Sequence, residues 1–386
     1  MTDKLKLISV VGARPNFMKI APFCRAIADH ADVCEHTLVH TGQHYDVAMS
    51  AVFFQELKIP PPDVDLGIGS GSHAEQVGQT MIAFEKVVQK KQPDWVVVVG
   101  DVNATCACSI TAKKEHVKLA HIEAGLRSFD LDMPEEINRM VTDRLSDLLF
   151  TTDALADANL RAEGVAEARI RRVGNIMIDT LERHRPAAAR LDLNRIAAMY
   201  EIEKRAPPAL PVLKDDGYAV VTLHRPSNAD HRDTLERLVG FFTSEVAGVM
   251  PVVWPIHPRT FKLLEIFGLW ARIKACANIV VTEPLGYHDM LRVNMGAAVL
   301  FTDSGGLQEE SCVLGTRCLT MRDNTERPVT LQEHGGLCTL VGNDPARLRA
   351  AWNEARTQPR REVRPPLWDG HAAERIAACL LEQRRK

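Results

Sequence analysis

Val96 to Val99 are four consecutive apolar β-branched residues, flanked by Trp95 and Gly100. A strand with one solvated face alternates apolar and polar residues. A strand apolar at every position is buried on both faces. It therefore belongs inside a parallel sheet with helices on each side. The run has counterparts at LKLISVVG (5–12), HTLVHT (36–41), VKLAHI (117–122) and LLFTT (148–152). A second series follows at YAVVTL (218–223), VVWPI (252–256), NIVVT (278–282), AAVLFT (297–302) and RCLTM (317–321). Longer helical patterns separate these runs. Strand–helix alternation along the whole chain predicts an α/β fold of doubly wound, Rossmann-like sheets.

At 386 residues, and about 150 residues per domain, the prior is two to three domains. The stretch 185–216 breaks the alternation with RPAAAR and a segment holding Pro207, Pro208 and Pro211. It reads as an inter-domain connection, with part of 189–204 helical. The expected domains are 1–180 and 181–370, the second including that linker. Ile376, Cys379 and Leu380 at helical spacing predict a helix over the last residues, 372–385.

Lys and Arg number 47 against 50 Asp and Glu, a net charge of −3. No global basic field attracts nucleic acid or anionic membrane, so neither is an expected partner. No segment approaches 18 consecutive apolar residues, which excludes a membrane span as an expectation. The nine cysteines are scattered and contain no CxxC pair. They predict a reducing, cytoplasmic setting and no zinc ribbon.

Ligands of open α/β sheets bind outside the carboxyl ends of the strands, and two such domains predict a cleft between them. The chemistry-bearing residues fall at those ends. After the first strand, GARPNFMKIAP brings Arg14 and Lys19 to a helix start, where an anion is favoured. After the second, TGQHYD offers Gln43 and His44 as hydrogen-bonding groups. His36, His40 and His44 mimic a metal comb, but His36 and His40 lie on a strand, so a structural role is expected for His36 and no metal site. The third strand ends at Asp101, poised for chemistry or for capping the next helix. The fourth runs into Glu123, an acid that must be paired or used, with Arg127 as a possible partner. In MPEEINR, Glu135 and Glu136 suit a helix N-terminus, and Glu135 can pair with Arg139. In the second half, strands deliver His224 with Arg225, and then His257. FTDSGGLQEE supplies Ser304, Gly305 and Gly306 at a helix start, where backbone N–H groups can meet a pyrophosphate. Glu310 follows on that helix, within reach of ribose hydroxyls, and Arg327 is a further anion partner. The second half therefore reads as the nucleotide holder and the first as a wall for proton transfer.

Taken in order, GARPNFMKIAP, TGQHYD, GDVNAT, HIEAGLRS, PEEINR, HRPSN, HPRT, DSGGLQEE and TERP resemble the motif set of the non-hydrolysing UDP-N-acetylglucosamine 2-epimerases. The resemblance runs nearly the full length. It implies a glycosyltransferase-B-like fold of two Rossmann-like domains, with the C-terminal helix 371–386 completing the first, and a homodimer. It implies interconversion of UDP-N-acetylglucosamine and UDP-N-acetylmannosamine. UDP leaves to give a bound 2-acetamidoglucal and then adds back, with a proton delivered to the opposite face of C2. No metal or redox cofactor is required.

By motif, the resemblance assigns catalysis to Asp101, Glu123, Glu135 and His224. It assigns UDP contacts to Arg14, His257, Ser304, Gly305, Gly306, Glu310 and Arg327. Lys19, Gln43, His44, Arg139 and Arg225 complete the expected substrate-binding set. Three departures stand out. Tyr45 and Asp46 replace part of a QHR-type motif, and 67–76 reads GIGSGSHAEQ where an Arg-Gln-type pair serves a second, regulatory UDP-N-acetylglucosamine site. That regulatory site is expected to be lost. HRPSN in place of HRRE marks a separate branch, for which UDP-2,3-diacetamido-2,3-dideoxy-glucuronic acid or a hydrolysed product is the alternative. A glycosyltransferase or a non-catalytic UDP-sugar sensor is the more distant alternative.

Overall fold

The computed structural model describes residues 4–12, 14–42, 56–202 and 210–383, without the side chains of Arg14 and Pro15. The chain divides into two compact units, Met1–Arg183 with Pro365–Lys386, and His184–Arg364.

The first unit holds a seven-stranded sheet in the order β3-β2-β1-β4-β5-β6-β7. Its strands are β1 (Leu5–Val11), β2 (Cys34–His40), β3 (Val64–Asp65), β4 (Trp95–Val99), β5 (Lys118–Ala124), β6 (Leu148–Thr151) and β7 (Ile170–Arg172). Every pairing is parallel. β4 lies near the middle and is buried at all five positions, as its composition requires. Val96 and Val98 pack with Ile8, Val10, Val39, Leu119, Phe84 and Val88. Each such side chain contributes roughly 1.5–3 kcal/mol on burial. His36 is structural. Its Nε2 lies 2.7 Å from Ser9 Oγ, and burial pushes its ring down to about 4.

The second unit repeats the scheme with six parallel strands in the order β10-β9-β8-β11-β12-β13. These are β8 (Ala219–Thr222), β9 (Val252–Pro255), β10 (Ile279–Thr282), β11 (Val299–Thr302), β12 (Arg317–Thr320) and β13 (Cys338–Leu340). Val221, Trp254, Phe242, Phe301 and Trp352 form the centre of its core. Both sheets start at an interior strand, wind outward, then reverse, which is the doubly wound pattern.

Three strands lie outside the ten apolar runs: β3, β7 and β13. All are two or three residues long and sit at sheet edges, where a strand needs little apolar sequence. The stretch from residue 185, expected as a linker, opens inside a helix. The helix Ile176–Ala188 continues through Pro186. Pro186 stands in its last turn, so the loss of one N–H donor does not break it. A helix at Leu193–Tyr200 follows, inside the segment expected to be partly helical.

The helix Ala372–Glu382 packs in the first unit against the helix Arg14–Ala28. The N–H groups of Ala372 and Ala373 donate to the Asp179 carboxylate at 3.1 and 2.7 Å, so a residue of the helix Ile176–Ala188 caps it. Trp368 Nε1 donates to the Thr152 carbonyl at 3.0 Å. Among the described residues, no helix is long and apolar enough to cross a membrane. No group of three or more His, Cys, Asp or Glu side chains among them is arranged to hold a metal ion.

Candidate functional site

β4 and β5 are neighbours, with Val99 opposite Ile122. Their carboxyl ends therefore deliver Asp101 and Glu123 to one edge of the first sheet. Gly100 makes this possible. Its φ is +68°, and a Cβ there would stand 3.0 Å from Asn16 Oδ1 and 3.1 Å from Lys19 Nζ. The missing side chain lets the helix Arg14–Ala28 lay both residues over the strand end. Asn16 Nδ2 then donates to the Val99 carbonyl at 3.0 Å.

Glu123 has a φ of +74° and sits where the β5–β6 register shifts between Ile122 and Ala124. A bulge of this kind re-aims a side chain, and a non-glycine residue holds a positive φ only when its surroundings enforce it. Glu123 is buried and forms an ion pair with Lys19, whose side chain is also buried. Lys19 is thus no solvated cation at a helix start. Arg127, the partner weighed for Glu123, is committed elsewhere. It donates to Asp143 at 2.7 Å and to both oxygens of Glu163 at 2.7 Å. Asp143 also meets His121 Nδ1 at 2.6 Å, and His121 Nε2 reaches the Gly100 carbonyl at 2.9 Å. This buried network braces the strand ends from beneath. Burial pushes the Asp143 carboxyl up, but His121 and Arg127 outweigh it and hold it low.

The helix Pro134–Leu145 supplies the third carboxylate. Glu135 is half-buried in its first turn, with Pro134 at its start. Asn138 Nδ2 donates to the Asp101 carbonyl at 2.9 Å, which ties this helix to the end of β4. Arg139 is buried and pairs with Asp101 and with Glu136.

The second unit carries its own cluster. His224 follows β8, and its Nδ1 lies 2.7 Å from Oδ1 of Asp303. Asp303 is fully buried and also accepts from the N–H groups of His224 and Arg225 and from Asn228 Nδ2. Burial alone would raise its carboxyl, but the His224 contact and these donors hold it below the ordinary range. Asp303, in the DSGG stretch, is not among the site residues expected from the sequence. The signal was the one used for Glu123, an acid directly after a buried strand. His257 is exposed, caps the helix Pro258–Ile266 through Nδ1 (3.2 Å from Arg259 N), and lies with its ring centroid 6.0 Å from that of His224. Ser304 precedes the helix Gly305–Leu314. A Cβ on Gly305 would stand 2.5 Å from Arg327 Nη1, so Arg327 lies directly against the glycine turn. Arg327 is buried and pairs with Glu309 and Glu326. Glu310 is buried on the same helix, and the Tyr287 hydroxyl donates to it at 3.4 Å. Burial pushes its carboxyl up to about 7.

Gln43, His44, Tyr45 and Asp46 lie outside the described residues, and Arg14 is described only as the first residue of its helix. The segment 67–76 is described. Ser72 and Glu75 form a capping box for the helix His73–Lys91, and Gln76 Oε1 accepts from Asn103 at 2.8 Å.

The family model described as UDP-N-acetylglucosamine 2-epimerase matches residues 25–381. A UDP-N-acetylglucosamine 2-epimerase of Methanocaldococcus jannaschii is 39% identical over 377 residues, covering 97% of this chain and 99% of the relative. A UDP-2,3-diacetamido-2,3-dideoxy-D-glucuronate 2-epimerase of Pseudomonas aeruginosa is also 39% identical, over 324 residues, 83% of this chain and 84% of that one. Among solved structures, the Methanocaldococcus jannaschii UDP-GlcNAc 2-epimerase in complex with UDP-GlcNAc and UDP superposes with a TM-score of 0.86 at 38% identity, covering 98% of this chain and all of the other.

Proposed function

We propose, from the premise that the chain belongs to the UDP-N-acetylglucosamine 2-epimerase family, that it is an isomerase interconverting UDP-N-acetylglucosamine and UDP-N-acetylmannosamine. The observation that carries the mechanism is the pair of neighbouring strand ends, β4 and β5. Each delivers a carboxylate, Asp101 and Glu123, held by its own buried cation.

The chemistry asks for such a wall. The C2–H bond is weakly acidic, so its proton leaves only to a positioned base. The C–H electron pair becomes the C1=C2 bond of 2-acetamidoglucal, and the C1–O bond breaks with its electrons passing to UDP. Return of UDP to C1 with protonation of C2 from the opposite face completes inversion. Two faces of one carbon need two proton carriers, and Asp101, Glu123 and Glu135 supply them. The departing diphosphate gains charge, which N–H groups and cations stabilise. In the second unit the Gly305–Gly306 helix start, Arg225 and His257 serve this role. His224, oriented by Asp303, handles a proton at the leaving oxygen. Glu310 receives the ribose hydroxyls, and Arg327 braces the glycine turn from behind. The enzyme is proposed to work without metal or redox cofactor, as a cytoplasmic homodimer.

Incubation with UDP-N-acetylglucosamine in D2O tests the reading. Both epimers should appear with deuterium at C2. Absence of exchange and of the second epimer would sink it for this substrate, and N-acetylmannosamine with accumulating UDP would indicate a hydrolysing enzyme. One observation favours a second substrate: the equal 39% identity to the diacetamido-glucuronate epimerase. Running both UDP-sugars side by side decides between them.

A further inference from the structure

Glu135 and Glu136 are adjacent and chemically identical, yet their surroundings differ. Glu135 is half-buried, whereas Glu136 is buried with a side-chain exposure of 1%. The Glu136 carboxylate accepts from the N–H of Ser128 at 3.0 Å, the hydroxyl of Ser128 at 2.9 Å and the N–H of Phe129 at 2.9 Å. It also accepts from Arg139, at 3.0 Å from Nε and 2.6 Å from Nη2. Burial alone would raise the Glu136 carboxyl; these donors hold it below its ordinary value. Arg139 turns its remaining terminal nitrogen, Nη1, to Asp101 Oδ2. Between the Asp101 and Glu136 carboxylates on this guanidinium, Asp101 is the one open to solvent, at 24% exposure against 1% for Glu136.

We infer that Glu136 is a positioning residue for the reaction, acting through Arg139 to fix the Asp101 carboxylate. A guanidinium is a rigid planar fork. When its Nε and one terminal nitrogen are locked on a buried carboxylate, the direction of the other terminal nitrogen is set. Asn138 grips the Asp101 carbonyl from the same helix, so main chain and side chain of Asp101 are both held. Arg139 is then a strut, not a substrate contact. This inference rests on the proposed epimerase reading, in which Asp101 works on the sugar.

The test is a double-substitution cycle on the full chain, read as kcat and KM for the UDP-sugar that the wild type turns over. Glu136→Gln keeps the size of the side chain but loses the charge. It should lower kcat at least tenfold and change KM less than threefold. Arg139→Lys keeps charge but loses the fork and should give the same split. Because both act on one strut, the double variant should be no slower than the worse single one within about threefold. Multiplying losses, or a rise in KM with kcat unchanged, would overturn the inference, the latter by making Arg139 a substrate contact. If Glu136→Gln does not fold, Arg139→Lys alone decides by the same kcat-against-KM criterion. A wild type inert toward both UDP-sugars would remove the epimerase reading and the inference with it. An active wild type with the wrong variant pattern would remove the inference only.

Discussion

His224 Nδ1 lies 2.7 Å from Oδ1 of Asp303, a carboxylate with no exposure to solvent. The contact places the ring N–H on Nδ1, which leaves Nε2 as the atom for the proton transfer proposed for His224. Asp303→Asn would present an amide there and unsettle the tautomer. We expect kcat to fall by at least about 100-fold, with a lesser change in KM, in steady-state assays. A variant within threefold of wild type would remove His224 from proton transfer.

Lys19 and Glu123 form a second buried pair, and its two halves depend on each other. Removing one partner strands the other charge without water. Lys19→Met should destabilise the protein by about 3–5 kcal/mol in urea unfolding. The double variant Lys19→Met/Glu123→Gln should recover much of that loss while remaining inactive. Equal stability of single and double variants would show that the pair is not coupled.

Glu310 titrates near pH 7 because burial opposes its charge. Its folded value stands above the ordinary 4.5, so its contribution to stability is present at low pH and is lost as pH rises through about 7. Ligand-free protein should therefore lose this increment between pH 5 and 8, and Glu310→Gln should abolish it in thermal melts. Ribose hydroxyls prefer the ionised acceptor. KM should accordingly rise as pH falls below 7 in the wild type and stay flat in the variant.

Gly305→Ala tests the glycine turn. The new methyl would stand 2.5 Å from Arg327 Nη1 and 2.8 Å from Glu326 Oε1. Arg327 is held by Glu309 and Glu326 and has little room to swing. UDP should bind about tenfold more weakly by calorimetry, a loss of roughly 1.4 kcal/mol. Unchanged affinity would mean that the diphosphate does not lie on this turn.

The loss of the regulatory site, expected from Tyr45, Asp46 and the segment 67–76, predicts simple kinetics. Initial rates against UDP-N-acetylglucosamine should follow a hyperbola. A sigmoidal curve would contradict that expectation.

Much of the fold was legible because buried parallel strands leave continuous apolar runs, as Val96–Val99 does. β3, β7 and β13 left no such trace, being short and peripheral. Glu123 was visible because an acid after an apolar strand is anomalous. Its true partner was not, since Lys19 is 104 positions away in sequence and reaches it only once β1 pairs with β4 and β4 with β5. Arg139 shows the opposite failure. Local spacing suggested Glu135 as its partner at i, i+4, but it pairs with Glu136 at i, i+3 and with Asp101. Helical spacing gives neighbours; tertiary packing chooses among them. Asp303 carried the same signal as Glu123 and was hidden by the more conspicuous glycines beside it.

The capping of Ala372–Glu382 by Asp179 has a consequence for biosynthesis. The first unit joins Met1–Arg183 with Pro365–Lys386, so on the ribosome it waits for the helix Ala372–Glu382 until the second unit has been synthesised. A premature stop near residue 370 would wound the N-terminal unit and leave the C-terminal one whole. Limited proteolysis of such a truncation should cut first within residues 1–183, far in sequence from the missing piece.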